Sequence, residues 1–333
     1  MRIFRAGLVA LLITAMVAPM AEAQMVSRAS KSRDTAASAR DAFGSHEQIL
    51  QWIDGYRLEP EPKKLPAAVK ALSRLGLLRD EDASGVFVGF MAGVLFTNPG
   101  QATKLVTDMF PMPPEDQGAI VKAIAYSGLP DWKDLLGRFA ERMPARKVMM
   151  TSFLTGRTKL LQDMPIESGP APIDTLWGYY FATGSTEPVR RIIGALKWAK
   201  SKSDVEKLTV GSMAKWTLAN NASRDKDLLY LCRDEQRLSS HPTEVREALQ
   251  EIVNAAETYE TNKIRKEALA AIEELKRKGP QPDNPWARAA YWGSTAIAVG
   301  CVVAGATGMV AIGIPCIVTG AASSAAVKLL NSP

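Results

Sequence analysis

The sequence is short of the residues from which most catalytic and metal sites are built. Its 333 residues include only two histidines, His46 and His241, and three cysteines. Two histidines offer little material for a multi-histidine metal site or a histidine proton relay. The motifs G-x-S-x-G, H-E-x-x-H, C-x-x-C and G-x-x-x-x-G-K do not occur. We therefore predict neither a metal nor a cofactor.

The N-terminus has the three parts of a secretory signal peptide. Two arginines precede an apolar run at 6–17, and a proline and the pattern Ala-Glu-Ala follow. About 12 apolar residues are too few to span a bilayer. We predict a signal peptide at 1–23, a flexible leader at 24–42 that is poor in apolar residues, and a mature bacterial protein in the periplasm or outside the cell.

Positively charged residues are in only modest excess over negatively charged ones. The net charge is +6 and the isoelectric point is about 9.1. A mildly basic chain is attracted to anionic lipid, acidic polymers or nucleic acid. Because export argues against nucleic acid, we expect a protein partner or self-association, with membrane contact as an open alternative.

No stretch alternates apolar and polar residues for long enough to indicate a β-sheet. Apolar residues recur instead at helical spacing in the segments 132–139, 173–181 and 189–196. Between 243 and 278 there is neither glycine nor proline, which predicts a long helix with a heptad-like seam. We predict an all-α protein.

Prolines divide this helical region, and several stand at plausible helix starts. Pro66, Pro99 and Pro130 follow one another at about the length of a two-helix repeat. Either an irregular helical bundle or an α-solenoid of helix pairs fits this spacing. A connection rich in proline and glycine between 164 and 172 predicts helical domains at 43–164 and 171–278.

One segment is ambiguous between strand and helix. Val86-Phe87-Val88 would suit a strand. Gly85, Gly89 and Gly93 recur every fourth residue, which suits a tightly packed helix equally well.

The C-terminal region differs from the rest of the chain, because no charged residue occurs in the 39 positions 289–327. Gly293 and Gly300 mirror Gly313 and Gly320 about the middle of this run. Small residues on one face let two helices approach closely. We predict a glycine-rich apolar helical hairpin at 286–333.

This hairpin also contains two of the three cysteines. A disulfide between Cys301 and Cys316 is one alternative. In the glycine register the two residues are offset by roughly 6 Å along the helix axis, which disulfide geometry tolerates poorly. Cys232 is expected to be a buried thiol.

Residues near the start of the hairpin would suit a membrane interface or docking onto the helical body. They are Trp286, Tyr291 and Trp292, with the basic group Lys276, Arg277 and Lys278 before them. Each arm of the hairpin is at the short limit for spanning a bilayer, so insertion and soluble docking both remain open.

One pair resembles a nucleophile with its activating base. Ser212 and Lys215 form S-x-x-K, in which the lysine lies one helical turn from the serine. The companion motifs S-D-N and K-T-G are absent, and chance alone supplies about one such spacing in this composition. The favoured interpretation is a packed serine beside a surface lysine.

Acidic and basic residues alternate between 224 and 237. Asp225, Asp227, Asp234 and Glu235 lie among arginines and lysines. Such a run is typical of a solvated helix face with i,i+4 pairs.

The blocks 174–184, 187–193 and 215–222 resemble helical segments of an uncharacterised family of secreted bacterial envelope proteins. The resemblance implies helical architecture and a bacterial source, and it implies no activity. From the sequence we expect an exported, non-catalytic helical interaction or scaffold protein. The alternatives are a periplasmic serine hydrolase or acyl-transfer enzyme, and an effector that inserts into membranes.

Overall fold

The computed structural model describes residues 43–79, 84–258 and 261–278. Within these ranges the chain forms thirteen α-helices and no β-strand, which confirms the all-α prediction. The signal peptide at 1–23, the leader at 24–42 and the hairpin at 286–333 lie outside the described residues. So do both cysteines of the proposed disulfide.

The α-helices are mostly short and follow one another closely. They are α1 (His46–Gly55), α2 (Leu65–Arg74), α3 (Gly85–Thr97), α4 (Ala102–Met109), α5 (Gln117–Tyr126), α6 (Trp132–Arg138), α7 (Lys147–Leu154), α8 (Pro170–Thr183), α9 (Thr186–Gly194), α10 (Val205–Ala222), α11 (Lys226–Arg237), α12 (Thr243–Thr258) and α13 (Thr261–Lys278). Single 3-10 turns lie at Pro62–Lys64, Pro99–Gln101, Ala140–Arg142, Pro144–Arg146, Leu161–Asp163, Ile166–Ser168 and Ala195–Trp198.

Local chemistry explains where several helices begin and end. Ser45 and Gln48 form a capping box at the start of α1. Aspartates accept backbone N–H groups at the starts of α10 and α11. Pro66 stands in the first turn of α2, as predicted. α8 ends at Gly184, whose φ of 68° is left-handed.

The apolar faces predicted from helical spacing are confirmed. The predicted residues of α6, α8 and α9 are all buried: Trp132, Leu135 and Leu136; Ile173, Leu176, Trp177, Tyr180 and Phe181; Val189, Ile192 and Ile193. These positions form the core because each lies on the apolar face with which its helix packs against neighbouring helices.

Helix α3 resolves the ambiguity between strand and helix in favour of a helix. Every residue from Gly85 to Leu95 is buried, so the helix is enclosed on all sides. It packs against α8 with almost no space between the backbones. A Cβ atom built on Gly89 would lie 1.9 Å from the carbonyl oxygen of Thr175, and one on Gly178 would lie 2.0 Å from that of Val86. The glycines therefore permit this contact.

Helix α8 also packs against α10, the second extensively buried helix. The indole Nε1–H of Trp177 on α8 donates to Oγ1 of Thr217 on α10 at 3.0 Å, and both residues are buried. α8 thus lies between α3 and α10. Because α3 precedes the 164–172 connection and α8 follows it, the two predicted domains share this contact, and their separation stays a prediction.

The glycine-free stretch 243–278 contains two described helices, α12 and α13, on either side of residues 259–260. Val245, Leu249 and Ile252 are buried on α12, and Ile264 and Ile272 on α13. Both helices pack against α10. Among the described helices, none combines the length and the apolar character that crossing a bilayer requires.

Candidate functional site: a polar cleft at the start of helix α11

A cleft of about 270 Å³ opens near the junction between α10 and α11. The end of α1 and the turn after it contribute Asp54, Arg57 and Leu58 to the wall. Helix α8 contributes Phe181, and the α10–α11 junction contributes Asn221 and residues 224–228. Segments distant in the sequence therefore build one polar recess.

Arg57 connects the two sides of the cleft. One guanidinium nitrogen donates to Asp225 Oδ2 at 2.7 Å, and the other donates to Asp227 Oδ2 at 2.9 Å. The guanidinium also lies over the ring of Tyr180, with its carbon 5.6 Å from the ring centre. Gly184 accommodates this arginine, because a Cβ there would lie 3.0 Å from Arg57 Cδ.

Asp225 is the most heavily used acceptor in the cleft. Its Oδ2 accepts hydrogen bonds from Arg57 and from the hydroxyl of Tyr180, the latter at 2.7 Å. Its Oδ1 caps α11 by accepting the backbone N–H groups of Asp227 and Leu228 at 3.0 and 3.4 Å. One carboxylate thereby links the turn after α1, helix α8 and the start of α11.

The titratable groups of the cleft are shifted by their surroundings. Burial raises the pKa of Tyr180, and the hydrogen bond to Asp225 raises it further, so the phenol remains a donor. Partial burial raises the pKa of Asp54 as well, while the charge of Arg224 opposes that rise.

One polar atom in the cleft has no partner. Asn221 is 3% exposed, and its Nδ2 has no hydrogen-bond acceptor within the described residues. Buried polar groups are nearly always paired, so an unpaired one requires a reason. Asn221 belongs to the cleft wall, and its Nδ2 is itself buried.

The serine–lysine pair predicted from the sequence lies on α10. Ser212 is buried, and Lys215 Nζ forms an ion pair with Glu251 of α12. Lys200 also contacts Glu251, at 3.3 Å. Neither member of the pair is on the cleft wall.

The predicted basic group at 276–278 lies in the last turn of α13. Arg277 is exposed and pairs with Glu274 at 3.4 Å. The side chains of Lys276 and Lys278 lie outside the described set, as do Trp286, Tyr291 and Trp292.

The mixed-charge run at 224–237 is only partly the solvated face that the sequence predicts. Asp227 and Asp234 are exposed, but the side chain of Glu235 is 6% exposed. Arg190 donates to Glu235 at 2.7 Å, and His241 Nε2 lies 2.7 Å from its other oxygen. Burial alone would raise the pKa of Glu235, but hydrogen bonds from His241 and Arg190 lower it overall.

Sequence reasoning missed the cleft because its contacts are long-range. Arg57 and Asp225 are separated by 168 positions. The only local signal is Asp225 itself, an aspartate that directly precedes a helix. Within the described residues, no group of three or more histidine, cysteine or acidic side chains is arranged to hold a metal ion.

Comparisons with protein-family models, curated proteins and solved structures find no match for this chain. The function of the protein is therefore inferred from its residues and their geometry.

Proposed function

We propose that the protein is an exported, non-catalytic helical interaction protein of the bacterial cell envelope that holds part of a partner in the cleft beside α11. The observation that carries this proposal is the cleft of about 270 Å³, whose wall combines charged side chains with the exposed Leu58. A recess that combines polar groups with exposed apolar surface suits the binding of a ligand group.

The ion pairs around the cleft favour binding over chemistry. Arg57 is engaged by two carboxylates, and Asp225 by a cation, a hydroxyl and two backbone N–H groups. Groups committed to several partners are well placed to hold a geometry. They are poorly placed to exchange protons with a substrate.

The contact between Lys215 and Glu251 likewise argues against catalysis by the serine–lysine pair. A lysine that activates a serine must accept its proton. Lys215 is instead committed to an ion pair with Glu251, and Ser212 is buried. Serine-reactive probes should therefore label the wild-type protein and Ser212→Ala equally.

Other parts of the proposal concern assembly and location. The helices would form an irregular bundle or a solenoid of helix pairs that presents a broad surface to a protein partner. The apolar hairpin at 286–333 would mediate self-association or contact with a membrane. Export and the envelope location follow from the signal-peptide pattern.

Partner capture with matched variants tests the proposal. The mature chain is immobilised and incubated with a detergent extract of the cell envelope, and retained proteins are identified by mass spectrometry. Leu58 is 76% exposed on the cleft wall, and Val148 is 86% exposed on α7, away from the cleft. Because both are exposed aliphatic residues, Leu58→Asp and Val148→Asp introduce the same charge at comparable folding cost.

We expect a set of proteins that the wild type and Val148→Asp retain and that Leu58→Asp loses. Equal retention by all three chains would contradict the proposal that the cleft is the binding site. The same capture with residues 286–333 deleted separates the role of the hairpin from that of the cleft.

A further inference from the structure

The segment 142–162 carries most of the excess positive charge of the chain. It contains five basic residues and no acidic one, a net charge of +5 against +6 for all 333 residues. The five are Arg142, Arg146, Lys147, Arg157 and Lys159. Within the described residues, none of them forms an ion pair with a carboxylate. The charge of this segment is therefore not compensated by neighbouring side chains.

Neutral groups hold the two arginines that precede α7. The guanidinium of Arg146 donates to the backbone carbonyl oxygens of Pro114 and Glu115 at 2.9 and 2.8 Å. The Glu115 carboxylate lies toward Arg79 instead, at 3.9 Å. The guanidinium of Arg142 lies over two stacked aromatic rings. Carbonyl groups and rings position a guanidinium without cancelling its charge, so both charges remain available to an anion outside the protein.

Helix α7 places a cation next to an exposed aliphatic side chain. Met150 and Phe153 are buried and fix the side of the helix that packs on the protein. The opposite side, with Lys147, Val148 and Thr151, is exposed to solvent. Val148 is 86% exposed, the highest value among the large apolar side chains of the described residues. The exposed side of α7 is therefore both cationic and apolar.

The turn after α7 keeps a second cation at the end of this helix. Gly156 has a left-handed φ of 72°, which lets the chain reverse. The backbone N–H groups of Arg157 and Thr158 then donate to the carbonyl oxygen of Ser152 at 2.9 and 3.2 Å. The eight residues of α7 span roughly 12 Å. Lys147 thus stands at one end of the helix and Arg157 at the other.

This combination suits the surface of an anionic bilayer. Basic side chains are attracted to the headgroups, while apolar side chains enter the boundary between headgroups and acyl chains. Val148 would leave water there, as would Leu154, which is 37% exposed on the same helix. A soluble polyanion attracts the charges equally well but offers no apolar phase for Val148.

We infer that the exposed side of α7, with Lys147, Val148 and Arg157, docks on the anionic headgroups of a phospholipid bilayer. The inference goes beyond the proposed function, because neither the cleft nor residues 286–333 belong to this surface.

Vesicle sedimentation of the full mature chain tests the inference. One set of vesicles is phosphatidylcholine, and the other is an equimolar mixture of phosphatidylcholine and phosphatidylglycerol. We expect the wild type to bind the anionic vesicles on the order of tenfold more tightly than the neutral ones. An ionic strength of about 1 M, where the Debye length is about 3 Å, should remove most of this difference. Binding through residues 286–333 would be common to all variants.

The charges are tested by Lys147→Gln/Arg157→Gln. Both residues are exposed, and neither side chain forms a hydrogen bond within the described residues, so the fold should be retained. Each basic residue near an anionic surface strengthens binding about fivefold, so this variant should bind anionic vesicles on the order of tenfold more weakly or less. Lys63→Gln/Lys202→Gln has the same net charge and changes two exposed lysines of other segments. This control should bind like the wild type.

The apolar contact is tested by Val148→Ser. Replacing the two methyl groups by a hydroxyl should weaken binding to anionic vesicles several-fold, since each buried methylene strengthens membrane binding about fourfold. Leu58→Ser makes the corresponding change at an exposed leucine of the cleft wall and should leave vesicle binding unaltered. The detergent extract used for partner capture contains no bilayer, so Val148→Asp remains a control for the cleft.

Several results would overturn the inference. One is equal binding of the wild type to neutral and anionic vesicles, and another is equal binding by the two double variants. Weaker binding by Lys147→Gln/Arg157→Gln together with unaltered binding by Val148→Ser would indicate a purely electrostatic surface, as for an acidic polymer, and would also overturn it. None of these results changes the partner capture that depends on Leu58, so the proposed function is judged separately.

Discussion

The contact between α3 and α8 can be tested by a single methyl group. In Gly89→Ala the added Cβ would lie 1.9 Å from the carbonyl oxygen of Thr175 and 2.7 Å from its carbonyl carbon. Separations under 3.0 Å are essentially never found for real Cβ atoms. Because the obstructing atoms belong to the backbone of a buried helix, no side-chain rotation relieves the contact. The two helices would have to separate by about 1 Å or more.

The expected change in the free energy of unfolding follows from two opposing effects. Overpacking a well-filled core costs about 1–3 kcal/mol and occasionally more, and a backbone contact this short belongs at the upper end. Replacing glycine by alanine within a helix recovers about 1 kcal/mol. We therefore expect Gly89→Ala to lower the free energy of unfolding by about 2 kcal/mol or more.

Gly137→Ala in α6 is the matched control, since nothing lies within 4 Å of a Cβ built there. It should raise the free energy of unfolding by up to about 1 kcal/mol through helix propensity alone. Urea unfolding followed by circular dichroism, with the midpoint and slope compared at equal protein concentration, measures both changes. If Gly89→Ala were as stable as Gly137→Ala, α3 and α8 could not be packed as closely as described.

Three further outcomes concern single buried side chains. Thr217→Val removes the acceptor of the buried Trp177 indole and should lower the free energy of unfolding by about 1–3 kcal/mol; an unchanged midpoint would contradict that hydrogen bond. The pKa of Glu235 is lowered from its ordinary 4.5 in the folded state, so its contribution to stability is present above that value and is lost as the pH falls through the folded pKa. Glu235→Gln should therefore reduce the pH dependence of the urea midpoint in acid, and identical pH profiles would refute this. Burial raises the pKa of the Cys232 thiol to about 12, so in a variant whose other two cysteines are serine a thiol reagent should react in denaturant and hardly at all in buffer.

The sequence predicted the helices best where a helix has one apolar face. On α9 the spacing of Val189, Ile192 and Ile193 marks the buried stripe, and the structure buries all three. The period is visible because the opposite face carries the exposed Glu187 and Arg190. On α3 both faces are apolar, so the sequence carries no period there. Only the glycine spacing indicated a helix, and it could not identify the partner helix.

The cleft lay beyond sequence reasoning for a different reason. A charge pair within a helix leaves a local pattern, because its members stand three or four residues apart. Arg57 and Asp225 stand 168 apart and meet only because the chain folds. Glu235 was likewise placed on a solvated face because its local neighbours are charged, whereas its partners Arg190 and His241 come from other segments.

Helix α8 connects the close contact with α3 to the cleft. Gly178 lies against the backbone of α3, Trp177 bonds to α10, Tyr180 bonds to Asp225, and Phe181 lines the cleft. The four residues are consecutive or nearly so, so a rigid helix cannot move one without moving the others. A shift of about 1 Å at the α3 contact would lengthen the 2.7 Å hydrogen bond from Tyr180 to Asp225 beyond normal limits. The glycine contact in the core therefore sets the geometry of the cleft as well as the stability of the fold.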